Sequence, residues 1–163
     1  MKKIITAFIM LVLIALDQVF KVLSINCIKP VSSIPIINKI LRLNYVENTG
    51  AAFGLFKNNT VVLTVFTAAV ILFCLYFIFI KPFEKPMFNV FLVMIVSGGI
   101  GNLIDRMFRS FVVDYIEVLF IDFPVFNFAD ILVTVGCFLL AFYLIFDTLK
   151  EKKNVKPEEI TNE

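Results

Sequence analysis

Four runs of apolar residues, three of them free of any charge, decide what this chain can become. They cover Ile4 to about Ile25, Thr60–Ile80, Pro86–Ile104 and Ile131–Phe146, and only the first is interrupted, by Asp17 and Lys21. About 20 apolar residues in a helix cross roughly 30 Å of hydrocarbon. The first three are long enough outright, and the fourth becomes so if Asn127–Asp130 forms its first turn. The rest of the composition agrees: 60% hydrophobic, 17% charged, 20 phenylalanines and mean hydropathy +0.95 over 163 residues. A soluble domain of this size could not cover so much apolar surface. The expected fold is mainly α, with four transmembrane helices at about 4–25, 60–80, 86–106 and 127–147. The connections are 26–59 and 107–126, within one integral domain over 1–150. Residues 151–163, charged and poor in apolar side chains, are expected to be disordered.

Charge placement sets an expected orientation. Lys2, Lys3, Lys81, Lys85, Lys150, Lys152, Lys153 and Lys156 fall on one side of four spans, against Lys29, Lys39, Arg42, Lys57 and Arg109 on the other. The excess of basic residues marks the cytoplasmic side. Both termini are therefore expected inside, with 26–59 and 107–126 outside. In the outer segments, Leu41–Val46 alternates with period two and Phe111–Ile116 is rich in β-branched and aromatic residues, so a small extracytoplasmic sheet is expected at the membrane surface. Lys2-Lys3 before an apolar run also has the form of a secretory signal, and Ser24-Ile25-Asn26-Cys27 hints at a lipoprotein cleavage box. Asn26 is too bulky for that box, and Asp17 and Lys21 interrupt its core. The expectation is a retained helix.

The net charge of +2 is small and scattered, which gives no reason to expect a nucleic-acid partner. The chain has no histidine, and its three cysteines have neither disulfide-framework nor metal-ligand spacing, so no metal or cofactor is expected. Acid–base chemistry would have to run on carboxylates, lysines or tyrosines.

Polar residues concentrate where the greasy segments end. Between Gly101 and Asp130 lie four aspartates, two asparagines and two arginines. Ionisable groups at membrane depth are costly, and the first reading of them is functional. Asp17 and Lys21 are spaced i,i+4 with the acid first, the better order for a helical ion pair. A helix-end pair with Lys21 snorkelling to the interface is one reading; the edge of a polar site is the other. Asn48-Thr49-Gly50-Ala51-Ala52-Phe53-Gly54 sets an amide beside small residues that would let a substrate backbone approach. In the third span, Asn102, Asp105 and Arg106 lie near one face. Asp105, paired with Arg106 or Arg109, is expected to be a structural anchor, because a permanent cation keeps it ionised.

Asp114 and Asp130 differ from Asp105 in having no adjacent cation. Asp130 could be a helix N-terminal charge favoured by the dipole, with Asn127 on the same face. Alternatively, the two acids meet at one mouth of the bundle. Two close carboxylates in a low-dielectric site share one proton. The ionised one then takes a proton from water, and the protonated one hydrogen-bonds a scissile carbonyl. That is aspartic peptidase chemistry.

Five stretches together resemble the bacterial lipoprotein signal peptidases (signal peptidase II): Asp17-Gln18-Val19-Phe20-Lys21, Asn48-Thr49-Gly50-Ala51-Ala52-Phe53, Gly101-Asn102-Leu103-Ile104-Asp105-Arg106, Val112-Val113-Asp114-Tyr115-Ile116 and Pro124-Val125-Phe126-Asn127-Phe128-Ala129-Asp130. The resemblance covers about Asp17 to Phe146, in the family's order and spacing. It implies a four-helix membrane enzyme with an outer β-cradle, and Asp114 and Asp130 as catalytic dyad. Asp17, Lys21, Asn48, Gly50, Asn102, Arg106 and Asn127 would support or line the site. The implied substrates are diacylglyceryl-modified prolipoproteins, cut before the lipidated cysteine, with membrane lipid beside the site and the cyclic peptide globomycin as inhibitor. Three positions depart from the family: Ile131 where serine often follows the second aspartate, Phe20 before the lysine, and Glu47 before Asn48. A transporter using the same acids as a relay is a competing reading, but the chain shows no internal repeat. A Ser/Lys peptidase built on Ser24 and Lys21 is a third, and both residues fall on one helix without a companion motif.

Overall fold

A computed structural model of the chain describes residues 2–50, 59–83 and 85–154. Four long helices carry the fold: α1 (Lys2–Leu23), α2 (Thr60–Phe79), α3 (Pro86–Arg109) and α4 (Phe128–Asn154). Each includes a stretch long and apolar enough to cross a membrane. Their surfaces confirm the class of solvent they meet, for residues such as Phe8, Phe66 and Phe138 are 63–73% exposed on them. Polar surroundings would make such faces untenable, whereas lipid chains accept them.

α3 is the axis of the bundle, with α1, α2 and α4 all packed on it. Its small residues explain this. A methyl group at Gly98 would collide with the backbone carbonyl of Ala129 and lie 2.9 Å from a Val133 methyl. One at Gly101 would collide with the Asp17 carboxylate. Close helix approach at small residues is the usual packing device in membranes. Gly98→Ala must push α4 away, because a backbone carbonyl cannot swing aside. Overpacking of this kind costs about 1–3 kcal/mol. Thermal unfolding in detergent should therefore show a lowered midpoint for Gly98→Ala, and an unchanged midpoint would contradict the packing described.

α1 does not stop at Leu23. A π-helical turn (Ser24–Ile28) and a 3-10 turn (Lys29–Val31) extend it, and Ile28 packs with Val113 and Tyr115 beneath the sheet. The sheet is antiparallel in the order β1 (Ser33–Ile37), β2 (Leu41–Asn48), β3 (Val112–Val118). Both strands expected from the sequence are present, and β1 was not foreseen. Pro35 sits in that edge strand, where a missing N–H does no harm.

The β2–β3 register shifts between Leu43 and Val46: Leu43 pairs with Ile116, but Val46 pairs with Asp114. The extra residue in β2 exchanges the two faces of the strand beyond it. Without it Asp114 would face Tyr45. With it, Asn48 lies diagonally across from Asp114 on the same face.

Candidate active site

β3 and the start of α4 bring the two acids together. The segment after β3 turns back, and Phe126 is clamped to it by three bonds: Phe126 N to Ile116 O at 3.0 Å, and Tyr115 N and Ile116 N to Phe126 O at 3.0 and 2.8 Å. Asn127 therefore arrives beside Asp114 and caps α4. Its Oδ1 accepts from Asp130 N at 2.9 Å, while its own N donates to Asp130 Oδ2 at 3.1 Å. This is a reciprocal capping box in which the acid three residues in is Asp130.

The same Asn127 reaches the other acid. Its Nδ2 donates to Asp114 Oδ1 at 2.6 Å, and to Asn102 Oδ1 at 3.2 Å. Asn48 Nδ2 donates to the second oxygen, Asp114 Oδ2, at 2.8 Å. Asn102 Nδ2 donates to Asp130 Oδ1 at 2.7 Å. Three side-chain amides and the Asn127 backbone N–H thus hold the two carboxyls, each by both oxygens. Asp114 is 1% exposed, and burial, with the Asp130 charge second, pushes its carboxyl up to about 7 against the donations from Asn48 and Asn127. Burial likewise pushes the neighbouring Tyr115 phenol above its ordinary range.

Behind this pair lies a second buried cluster. Lys21, Asp17 and Asp105 are each wholly buried, with Lys21 Nζ 3.0 Å from Asp17 and 2.9 Å from Asp105. Lys21 also donates to Asn102 Oδ1 at 2.9 Å, so it reaches Asp130 through one amide. Asp17 Oδ1 accepts from Ala129 N at 3.1 Å, tying α1 to the first turn of α4. Asp105 accepts from Val113 N at 3.0 Å and from Arg109, joining α3 to β3. Two acidic and two basic side chains thus face one another in the cluster.

The structure chooses between the readings left open for these residues. Lys21 does not snorkel to the interface, since three buried acceptors hold its ammonium inside. Asp105 takes Arg109 and Lys21 as partners, whereas Arg106 turns to the other side of α3. An i,i+4 neighbour shares a helix face and an i,i+1 neighbour does not.

Arg106 instead donates to Gly50 O at 3.3 Å, and its buried Nε has no hydrogen-bond partner among the described residues. Gly50 N is tied to Asn48 Oδ1 at 2.9 Å. Ala51–Gly54, the small residues singled out in the sequence, lie outside the described residues. Gln18 and Tyr115 stood in the motifs without an assigned part. Gln18 Nε2 donates to Asp17 and to Gly101 O at 3.2 and 3.1 Å, and the Tyr115 hydroxyl accepts from Phe128 N at 3.2 Å. Asp122 is exposed.

A cavity of about 600 Å³ opens from the acids. Asn48, Gly50, Asn102, Arg106, Asp114 and Asp130 line its polar end, and the rest runs between α2 and α4 past Val70, Cys74, Ile131 and Val135. Most of its wall is apolar, as in ligand sites generally. Lys21, fully engaged by its three acceptors, is no free base for Ser24.

Fold and site together define a multi-pass membrane protein with a buried acid–amide cluster at one end of its helices. The family model described as Signal peptidase (SPase) II matches residues 9–146. The lipoprotein signal peptidase of Clostridioides difficile (strain 630) is 41% identical over 148 residues, covering 88% of this chain and 97% of its own. That of Caldanaerobacter subterraneus subsp. tengcongensis is 41% identical over 144 residues, covering 88% and 94%. A solved bacterial membrane enzyme structure, obtained by the in meso method, superposes with a TM-score of 0.80 at 28% identity over 95% of this chain and 93% of that one. The chain belongs to the signal peptidase II family, peptidases that process prolipoproteins.

Proposed function

We propose that the chain is an aspartic endopeptidase that cuts diacylglyceryl-modified prolipoproteins just before the lipidated cysteine. The observation that carries this reading is Asn127, which donates to Asp114 at 2.6 Å and to Asp130 at 3.1 Å and so holds both carboxyls against one small space. Asp114 and Asp130 are the catalytic pair. Asp17 and Lys21 support the site from behind, Asn48, Asn102 and Asn127 fix the carboxyls, and Gly50 and Arg106 face the substrate. The chain is a single integral domain over residues 1–150, with both termini cytoplasmic and the pair at the outer face. Acyl chains stay in the bilayer while the peptide crosses the pair.

Asp130 stands in the first turn of α4, where the helix dipole favours an anion, and Lys21 reaches it through Asn102. It is the ionised partner and takes a proton from water as that water attacks the scissile carbonyl. Asp114 holds the shared proton and gives it to the carbonyl oxygen. Collapse of the tetrahedral species breaks the C–N bond and returns a proton to the leaving amine. The products are the signal-peptide carboxylate and the free amine of the lipidated cysteine. No neutral imidazole is needed in a chain without histidine. The guanidinium of Arg106, at the polar end of the cavity, is positioned to donate to substrate.

Purified protein in liposomes should cut a diacylglyceryl-modified prolipoprotein, leave the unmodified one intact, and be inhibited by globomycin. Equal cleavage of both substrates would remove lipid recognition from the account.

The pH dependence has a definite sign. Asp114 is raised from 3.8 to about 7, so its acid form survives to neutral pH and is lost above it. The one-proton state of the pair disappears as pH rises through about 7, and kcat/KM should fall on that alkaline limb. The same linkage makes this group's contribution to stability shrink as pH rises from 3.8 to 7, because the folded state binds the proton and the unfolded state does not. A kcat/KM profile that is flat through neutral pH would contradict the assignment.

A further inference from the structure

The end of the sheet farthest from the acids carries a surface that peptide chemistry does not use. The β1–β2 turn and the turn after β3 are joined by a bond from Leu119 N to Ile40 O at 2.9 Å. Together they present Ile36, Ile37, Ile40, Leu119, Phe120 and Ile121, exposed by 39–66%. The turn is tight, closed by Ile40 N to Ile37 O at 3.0 Å, with Lys39 at φ 59°. Exposed turns in water are made of polar residues, and a run of six large apolar side chains is a contact surface.

We propose that these two turns form a lipid-inserting tip, seated at the headgroup–acyl boundary of the leaflet on the acid side. Three observations choose lipid over protein. The exposed apolar surface of the helices continues to the level of the sheet, at Met107 and Phe108 on the last turn of α3, 64% and 80% exposed. The tip has the composition of an interfacial anchor, with an exposed Lys39 ammonium beside branched aliphatics and one phenylalanine, where lysine can meet phosphate. The edge strand β1 carries Pro35 and an irregular register at Pro35/Ile37, which blunts strand addition by a second copy.

Geometry then fixes the attitude of the sheet. Asp114 in β3 and Leu119 just past its end are five residues apart, about 17 Å in an extended chain. A sheet standing along the membrane normal would lift the apolar tip that far into water. With the tip in lipid, the sheet lies flat along the bilayer, held by the helix ends on one side and by the tip on the other. The Asp114 face is thereby kept at the depth where a membrane-anchored substrate can reach it. This inference rests on the helices spanning a bilayer and not on the catalytic reading.

The chain contains no tryptophan, so Phe120→Trp creates a single emitter at an exposed position, and Ile121→Trp gives a second if the first disturbs folding. Phe138→Trp, on the 73% exposed lipid face of α4, is the control. Each full-length variant is placed in phosphatidylcholine vesicles containing lipid brominated either near the headgroup or deep in the chain. The tip tryptophan should lose several-fold more emission to shallow bromine than to aqueous iodide, while the control responds to deep bromine. Quenching of the tip by iodide with the control still in lipid overturns the tip. Shielding from both quenchers means a protein contact and also overturns it. A control that bromine does not reach overturns the spans, and the tip with them.

Discussion

Asp114→Asn and Asp130→Asn are each expected to reduce cleavage of a diacylglyceryl-modified prolipoprotein by a factor on the order of 10²–10⁴, the range for loss of a positioned acid or base. The two substitutions remove different halves of one act: Asp130→Asn leaves no base for the attacking water, and Asp114→Asn leaves no acid for the carbonyl oxygen. Groups that act as a unit are not additive, so the double variant should be scarcely worse than either single one. Asparagine keeps the shape, although its single oxygen serves only one of the two N–H donors that hold each carboxyl, so a modest loss of stability accompanies either change. Folding should survive in both, as read by the thermal midpoint in detergent. Near-normal turnover in either variant would remove that residue from the mechanism.

Lys21→Met should act on stability first. It leaves the carboxyls of Asp17 and Asp105, both wholly buried, without the ammonium 3.0 and 2.9 Å away. Removing one partner of a buried ion pair costs about 3–5 kcal/mol, because the remaining charge is stranded. For a chain of this length that corresponds to a drop in thermal midpoint on the order of 10 °C. Adding Asp17→Asn to Lys21→Met should recover part of the loss, since the two residues are coupled. A Lys21→Met protein that unfolds with the native would show that the cluster is not what ties α1 to α3. Activity would fall as well, because Asn102 Oδ1 keeps only the longer donation from Asn127 and its grip on Asp130 loosens.

Much of this fold is legible from the chain because lipid imposes a crude and strict requirement. A run such as Thr60–Ile80 has few other uses. The strands β2 and β3 show through their alternation and β-branched content. Other features depend on partners distant in sequence. β1, Ser-Ile-Pro-Ile-Ile, has no alternation and contains proline, and only pairing with β2 makes it a strand. The register shift between Leu43 and Val46 leaves no mark in composition, yet it is what turns Asn48 toward Asp114. The choice of Arg109 over Arg106 as the partner of Asp105 was available from helix geometry alone. The depth of Lys21 was not, because nothing local says that Asp105 and Asn102, more than 80 residues on, will surround it.

Asp130 answers to both readings that the sequence left open. It serves the helix, since its Oδ2 caps the backbone through Asn127 N. It also serves the site, since its other oxygen is bound by Asn102 at the cavity. The helix start and the site are the same few atoms, so a mutation there disturbs fold and chemistry together.

The central claim is that Asp114 and Asp130 share one proton, held by Asp114 up to neutral pH. Infrared difference spectroscopy of the protonated-carboxyl stretch during a pH titration tests it most directly. In the wild-type protein a carboxylic-acid band should disappear as pH rises through about 7, matching the Asp114 carboxyl. In Asp114→Asn that band should be missing, and in Asp130→Asn it should vanish at lower pH, because the neighbouring charge that helps raise Asp114 is gone. A wild-type protein with no carboxyl titrating near neutrality, or a band that neither substitution alters, would contradict the shared proton.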